Sequence, residues 1–217
     1  NGNVANPSSP YSKINNAFPE GGGAQKKGFK YSIATVEKLM GVNIGYYCGF
    51  NMNVVKEVVN AMGGVDYDVD IEVKMNGREL HPGMQHLDGQ GVLDYCRQRK
   101  GSSDIARIDR QQRMLTAILK QLKDTDQIAN IPSIYSAVEA NIMTNLSIKQ
   151  ISSLALVALR MDMSQLSRYT LEGKAMDILG RDCYCLYVSR IEKIVREVWG
   201  QSVNLDSEND VSFIEEQ

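Results

Sequence analysis

The sequence predicts an α/β fold, a central mixed sheet with helices on both faces, on three observations. Apolar residues at helical spacing and apolar residues at period two replace one another along the chain. Most helical segments open on a capping residue or close on glycine. The 217 residues are 43% hydrophobic, enough for one substantial core.

In chain order, residues 1–30 are rich in Gly, Pro, Ser and Asn and read as a loop whose most mobile point is Gly21-Gly22-Gly23. Tyr31 to Met40 forms a helix closed by Gly41, and Val54 to Met62 another closed by Gly63. Asn43 to Gly49 has room for a short strand. Val65, Tyr67, Val69, Ile71 and Val73 alternate with Asp66, Asp68, Asp70 and Glu72, which predicts a strand with one buried face. Asn76-Gly77 predicts a tight hairpin turn. Asp88 is placed as a helix N-cap, with Leu87 and Val92 as its hydrophobic staple, so a short helix runs from Gly89 to about Cys96. A long amphipathic helix follows over residues 104–123, then a restart at Pro132 and the capping box Ser147 to Gln150. Leu166 to Leu171 and Cys183 to Val188 read as strands, and Ser189 to Glu192 as a second capping box opening a helix that stops at Gly200. Residues 1–200 are expected to form the domain and 201–217 an acidic, flexible tail.

The segment Tyr95 to Arg113, YCRQRKGSSDIARIDRQQR, holds six cations and two carboxylates, whereas the whole chain nets −2. Arg97 and Arg99 leave the short helix in an extended segment, where residues two apart project to one side. Gly101-Ser102-Ser103 turns the chain, and Asp104, Arg107 and Gln111 then stand at i, i+3 and i+7 on one helix face. Forked guanidiniums meeting at a helix N-terminus suit a phosphate or pyrophosphate. The plainer reading is a solvated face laced with ion pairs, Asp104 with Arg107 and Asp109 with Arg113.

The run from His86 to Arg113, HLDGQGVLDYCRQRKGSSDIARIDRQQR, closely resembles the LytR-CpsA-Psr (LCP) family. That family's pattern joins a His-Leu-Asp-Gly helix, an Arg-x-Arg turn and an Asp-x-x-Arg-x-x-Arg-Gln-Gln helix. The resemblance extends to Lys13-Ile14-Asn15-Asn16-Ala17 and the Gly-Gly after it, to Val36 through Val42, and to Met62 through Val69. It implies a three-layer α/β/α fold in an extracytoplasmic, membrane-anchored protein of a Gram-positive type envelope. It also implies a phosphotransferase that moves a glycopolymer of teichoic acid or capsular polysaccharide type from a polyprenyl pyrophosphate carrier to peptidoglycan or a related acceptor. By resemblance Arg97, Arg99 and Arg107 grip the pyrophosphate and Arg110 joins them, while Gln111 hydrogen-bonds the headgroup or orients an arginine. Asp104 serves either as a base toward the acceptor hydroxyl or as a lock on Arg107; the lock is favoured, because neighbouring cations stabilise an ionised carboxylate and make it a poor base. Lys13 and Asn15, in the Lys-Ile-Asn motif, border the cleft; the alternative is a loop whose Asn side chains cap its own backbone. Mg²⁺ is implied as well. The family's first strands, acidic metal ligands and Pro-Arg-Asp segment have no counterpart in Asn1 to Tyr11, so the fragment is expected to be incomplete and weakly active or inactive, with its membrane anchor upstream.

Two further functions stay open at this point: a non-catalytic domain that binds polyprenyl phosphate or sugar phosphate, and a polyprenyl pyrophosphate hydrolase. Ile134, Val138, Ile142, Leu154, Leu156, Val157 and Leu159 are candidates for a lipid tunnel, with ordinary core the preferred reading. Successive acidic residues on the strand at 66–72 lie about 7 Å apart, which favours a solvated face over a metal site. Cys48, Cys96, Cys183 and Cys185 show no disulfide framework, and His81 and His86 no zinc spacing. A compact basic cluster without interleaved aromatics, on an acidic chain, argues against nucleic acid.

Overall fold

The computed structural model describes residues 13–99, 103–125, 131–178, 180–205 and 213–215. The expected elements at 101–102 and the opening twelve residues lie outside these. The chain divides into two compact units, residues 48–168 and residues 1–47 with 169–217.

The unit of residues 48–168 carries the arginine segment. Its elements are β1 (Cys48–Phe50), α3 (Met52–Ala61), β2 (Val65–Val69), β3 (Val73–Met75), β4 (Arg78–Leu80), β5 (Gly83–Leu87), α4 (Gly89–Arg97), α5 (Asp104–Asp124), α6 (Ile131–Val138), β6 (Ile142–Thr144) and α7 (Ile148–Arg160). Here α1 (Ala17–Glu20) and α2 (Gly28–Met40) precede in the chain and belong to the other unit. The strands pair as three antiparallel ladders, β1 with β6, β2 with β5 and β3 with β4, rather than as one central sheet.

The strand expected over 65–73 is split for a related reason. Burial alternates from Val65 through Val73 as predicted, but β2 pairs with β5 and β3 with β4, so the backbone changes partner at Asp70. Asn76 at φ 53° and Gly77 at φ 75° make the predicted hairpin turn, with Val73 opposite Leu80. The core joins Val59, Val65, Val69, Leu87, Val92, Tyr95, Met114 and Ile118, drawn from α3, β2, β5, α4 and α5. Each fully buried Val or Leu among them contributes roughly 1.5–3 kcal/mol. Gly89 lets α4 approach α3: a Cβ there would collide with the Lys56 carbonyl, and the Gly89 N–H donates to Asn60 Oδ1 at 2.8 Å. Gln121 secures α5 to β2, donating to the Gly64 carbonyl at 2.8 Å and accepting from the Asp66 N–H at 2.9 Å.

Helix α7 opens on the predicted capping box, but its burial departs from the expected core. It buries Ala155 and leaves Leu154, Leu156 and Val157 exposed. Ile151, Ala155 and Ala158 stand at i, i+4 and i+7 on one face, while Leu156 and Val157 lie on the opposite side. Of the remaining tunnel candidates, Val138 is buried and Ile134 half-buried.

The other unit is built from α1, α2, β7 (Gly173–Asp177), β8 (Asp182–Tyr187), α8 (Val188–Trp199) and β9 (Phe213–Ile214). Helix α2 ends at Gly41, φ 66°, as predicted, but begins three residues before Tyr31. The triple glycine is a hydrogen-bonded turn, with Lys27 N–H donating to Gly21 O at 2.7 Å and Gly28 N–H to Gly23 O at 3.0 Å. The strand expected at Leu166–Leu171 forms instead at β7, where the chain meets β8; Leu171 packs on the core without a ladder. The capping box expected at Ser189 does not form: β8 runs directly into α8, which makes Tyr187 the N-cap and puts Ser189 inside the first turn. The segment after Gly200 also differs from expectation. Leu205 and Phe213 are buried with Ile191 and Val195, and β9 pairs in parallel with β8. Among the described residues no helix is long and apolar enough to cross a membrane.

Candidate functional site

The arginine segment is built on two caps. Asp88 Oδ1 accepts from the Gly91 N–H at 2.7 Å and starts α4, while Leu87 and Val92 are both buried beside it as the predicted staple. Ser103 Oγ accepts from the Ala106 N–H at 3.2 Å and starts α5. Helix α4 runs one residue further than predicted, so Arg97 is its last residue rather than the first of an extended segment. Gln98 then leaves the helix at ψ 122°. Arg97 and Arg99 are exposed and Gln98 between them is buried, the alternation expected of residues two apart.

Arg107 lies in the first turn of α5 with its side chain 19% exposed, and its Nη1 meets Asp104 Oδ1 at 2.7 Å. Asp104 itself is 79% exposed in its side chain. One turn on, Gln111 Nε2 donates to the Cys96 carbonyl at 3.2 Å. Gln111 and Arg107 share a helix face at i, i+4, so this bond brings the Arg107 face against the residue that precedes Arg97. Lys13 and Asn15 belong to the other unit, where Lys13 opens a single 3₁₀ turn, Ile14–Asn16, and both side chains are exposed.

Arg110, expected among the substrate contacts, is instead 2% exposed. Its Nη1 donates to the Gln98 carbonyl at 2.8 Å and to the Tyr95 carbonyl at 3.3 Å, and its guanidinium lies 5.6 Å from the Tyr95 ring centroid. Helical geometry accounts for the difference: Arg110 lines up with Met114, Ile118 and Leu122 at successive i+4 steps on the buried face.

Sequence reasoning found the Asp109–Arg113 ion pair of the network behind this pair and missed the part centred on Asp70. Tyr95 Oη donates to Asp70 Oδ1 at 2.7 Å, Arg113 Nη2 donates to Asp70 Oδ2 at 2.6 Å, and Arg113 Nε donates to Asp109 Oδ2 at 2.8 Å. Burial pushes the Asp70 carboxyl up, but the hydrogen bonds from Tyr95 and Arg113, with the charge of Arg113, hold it below the usual carboxylate range. Burial and the bonds to Tyr67 and Asp70 push the Tyr95 phenol far above its ordinary value. Burial raises the Cys96 thiol to about 11 against the pull of Arg110. All four cysteines are free thiols.

The acidic face of β2 is exposed as expected, with Asp66 engaged by His86 Nδ1 at 2.7 Å. Among the described residues no group of three or more His, Cys, Asp or Glu is arranged to hold a metal ion. Asp70 and Asp104 are already committed to arginines, so the residues described do not form a Mg²⁺ site.

A profile of the LytR_cpsA_psr family matches residues 3–199. The chain belongs to that family. It is 35% identical over 137 residues to a protein of Bacillus mycoides named polyisoprenyl-teichoic acid–peptidoglycan teichoic acid transferase TagU, covering 62% of this chain and 43% of the relative. An Enterococcus faecalis protein of the same name is 30% identical over 146 residues, covering 66% and 46%. The chain thus spans under half the length of these curated relatives. Among solved structures, TagV of B. subtilis is similar at 25% identity and TM-score 0.72, over 87% of this chain and 73% of TagV. A TagT structure described as bound to LIIa-WTA is similar at 25% identity and TM-score 0.70, over 91% and 74%. These likenesses bear out the α/β family fold, although the pairing here is distributed over separate ladders.

Proposed function

We propose that this chain is the phosphate-gripping part of an LCP phosphotransferase, which moves a teichoic-acid-type or capsular glycopolymer from a polyprenyl pyrophosphate carrier to peptidoglycan outside the cytoplasm. The observation that carries the reading is the Gln111–Cys96 bond, which ties the helix bearing Arg107 to the helix end bearing Arg97. The names of the relatives support the chemistry.

An acceptor hydroxyl attacks the phosphorus nearest the glycopolymer, an O–P bond forms, and the bond to the departing polyprenyl phosphate breaks. Negative charge develops on the phosphoryl oxygens, so catalysis consists chiefly of placing donors and positive charge there. Arg97 and Arg99 supply exposed forked donors, and Arg107 is held in orientation by Asp104. That ion pair favours the locking role for Asp104 over the base. Lys13 and Asn15 are proposed as substrate-binding residues by their motif alone. The family's divalent ion is assigned no ligand among these residues, and no step here depends on it.

The test is turnover of a polyprenyl pyrophosphate-linked glycan. Release of polyprenyl phosphate that requires a peptidoglycan acceptor supports the transferase. Release into water alone identifies a hydrolase, and tight binding without product a binding domain.

A further inference from the structure

We propose that Arg110 is a positioning residue for the anion seat, a buried cation that sets where Arg97 and Arg99 stand without touching the ligand; this rests on the function proposed above.

The last carbonyls of a helix have no partner within it. At the end of α4 the carbonyls on either side of Arg97 can be traced: Asp94 O takes the Gln98 N–H at 3.1 Å, Tyr95 O takes Arg110, Cys96 O takes Gln111, and Gln98 O beyond the helix takes Arg110 again. Arg110 therefore bonds to backbone on both sides of Arg97 and immediately before Arg99. Gln98 adds an anchor from the chain itself, Nε2 donating to Glu72 O at 3.3 Å.

A buried guanidinium needs compensation. The partial negative charge at the end of α4, two carbonyl oxygens and the face of Tyr95 supply it, and Tyr95 is itself held through Asp70 and Arg113. An apolar residue of similar length would fill the space with less desolvation cost. What an arginine adds is a fixed distance between α5 and the end of α4, which carry the arginines of the proposed seat. Misplacing a binding group by about 1 Å is enough to degrade catalysis on the order of a hundredfold.

The experiment is a double-mutant cycle on the full 217-residue chain, titrating geranyl pyrophosphate by calorimetry at a temperature where thermal melting shows every variant folded. Arg110→Met is expected to weaken binding on the order of tenfold. Added to Arg97→Ala it is expected to cost less than its effect alone, because the group it positions is gone. Arg110→Lys should recover part of the loss. If Arg110→Met does not fold, Arg110→Lys takes its place in the cycle with the same expected coupling.

Losses that multiply in the double variant, a folded Arg110→Met that binds like the wild type, or a lysine that binds no better than methionine would each overturn the inference. Those results leave the anion seat standing when Arg97→Ala and Arg107→Ala still weaken binding. A wild-type chain that does not bind the probe, or an Arg107→Ala variant that binds it equally well, overturns the proposed function and this inference with it.

Discussion

Arg107 and Arg110 sit one turn apart on the same helix and do opposite things. Arg107 faces outward, partly exposed and paired with a carboxylate that is itself mostly in solvent. Arg110 faces inward, spends its donors on backbone carbonyls and stacks on an aromatic ring. The two side chains lie only about 60° apart around the helix, so it is the edge of the buried face that falls between them, leaving one as a proposed ligand group and the other as a framework group. Charge counting treats them alike; the environment of each decides what it can hold.

One test of that contrast is turnover. Asp104→Asn removes the partner of Arg107. If Asp104 only orients Arg107, the rate should fall by a factor of about five or less, the scale of an exposed ion pair. A fall of a hundredfold or more, with loss of the basic limb in the pH–rate profile, would mark it as the base. The largest expected effect is on binding: Arg107→Ala is expected to weaken geranyl pyrophosphate binding about ten- to a hundredfold, while Arg113→Ala leaves binding near wild type and lowers stability in urea unfolding. A binding loss for Arg113→Ala equal to that of Arg107→Ala would erase the distinction between the two faces.

Two smaller effects sharpen it. Tyr95→Phe removes a donor to Asp70 and should cost about 1 kcal/mol in urea unfolding. Because the Asp70 carboxyl is held below its unfolded value, its contribution is present above about pH 4 and lost as pH falls through the lower, folded value. Asp70→Asn should therefore flatten the acid limb of stability against pH. The pairing of His86 with Asp66 runs the other way. The hydrogen bond that the imidazole donates to Asp66 raises its pKa, so its contribution is full below about pH 6.5 and fades as pH rises through the folded value. His86→Gln should abolish that small drop, read as the difference in melting temperature between pH 6 and pH 8.

The caps and turns were legible in the sequence because they are local chemistry. Asp88, Ser103, Ser147, Gly41 and Asn76-Gly77 act on backbone within a few residues, and all five do what their positions predict. What was hidden depends on residues distant in sequence. Asp70 looks like Asp66 and Asp68 in the alternating strand, and only α4 and α5 packed beside it make it the partner of Tyr95 and Arg113. The change of ladder partner at Asp70 is likewise invisible in a pattern of alternating burial that continues unbroken through Val73. Ser189 met every local requirement of a cap, yet β8 leads into α8 two residues too early for it. The exposed leucines of α7 show the converse: an apolar run gives no face until its neighbours are known.

The most direct measurement is a crystal structure of the chain soaked with geranyl pyrophosphate. The diphosphate is expected between Arg97, Arg99 and Arg107, with guanidinium nitrogens at about 2.7–2.9 Å from its oxygens and Arg110 still on the carbonyls of Tyr95 and Gln98. A diphosphate bound elsewhere, or those three side chains directed apart with nothing between them, would contradict it.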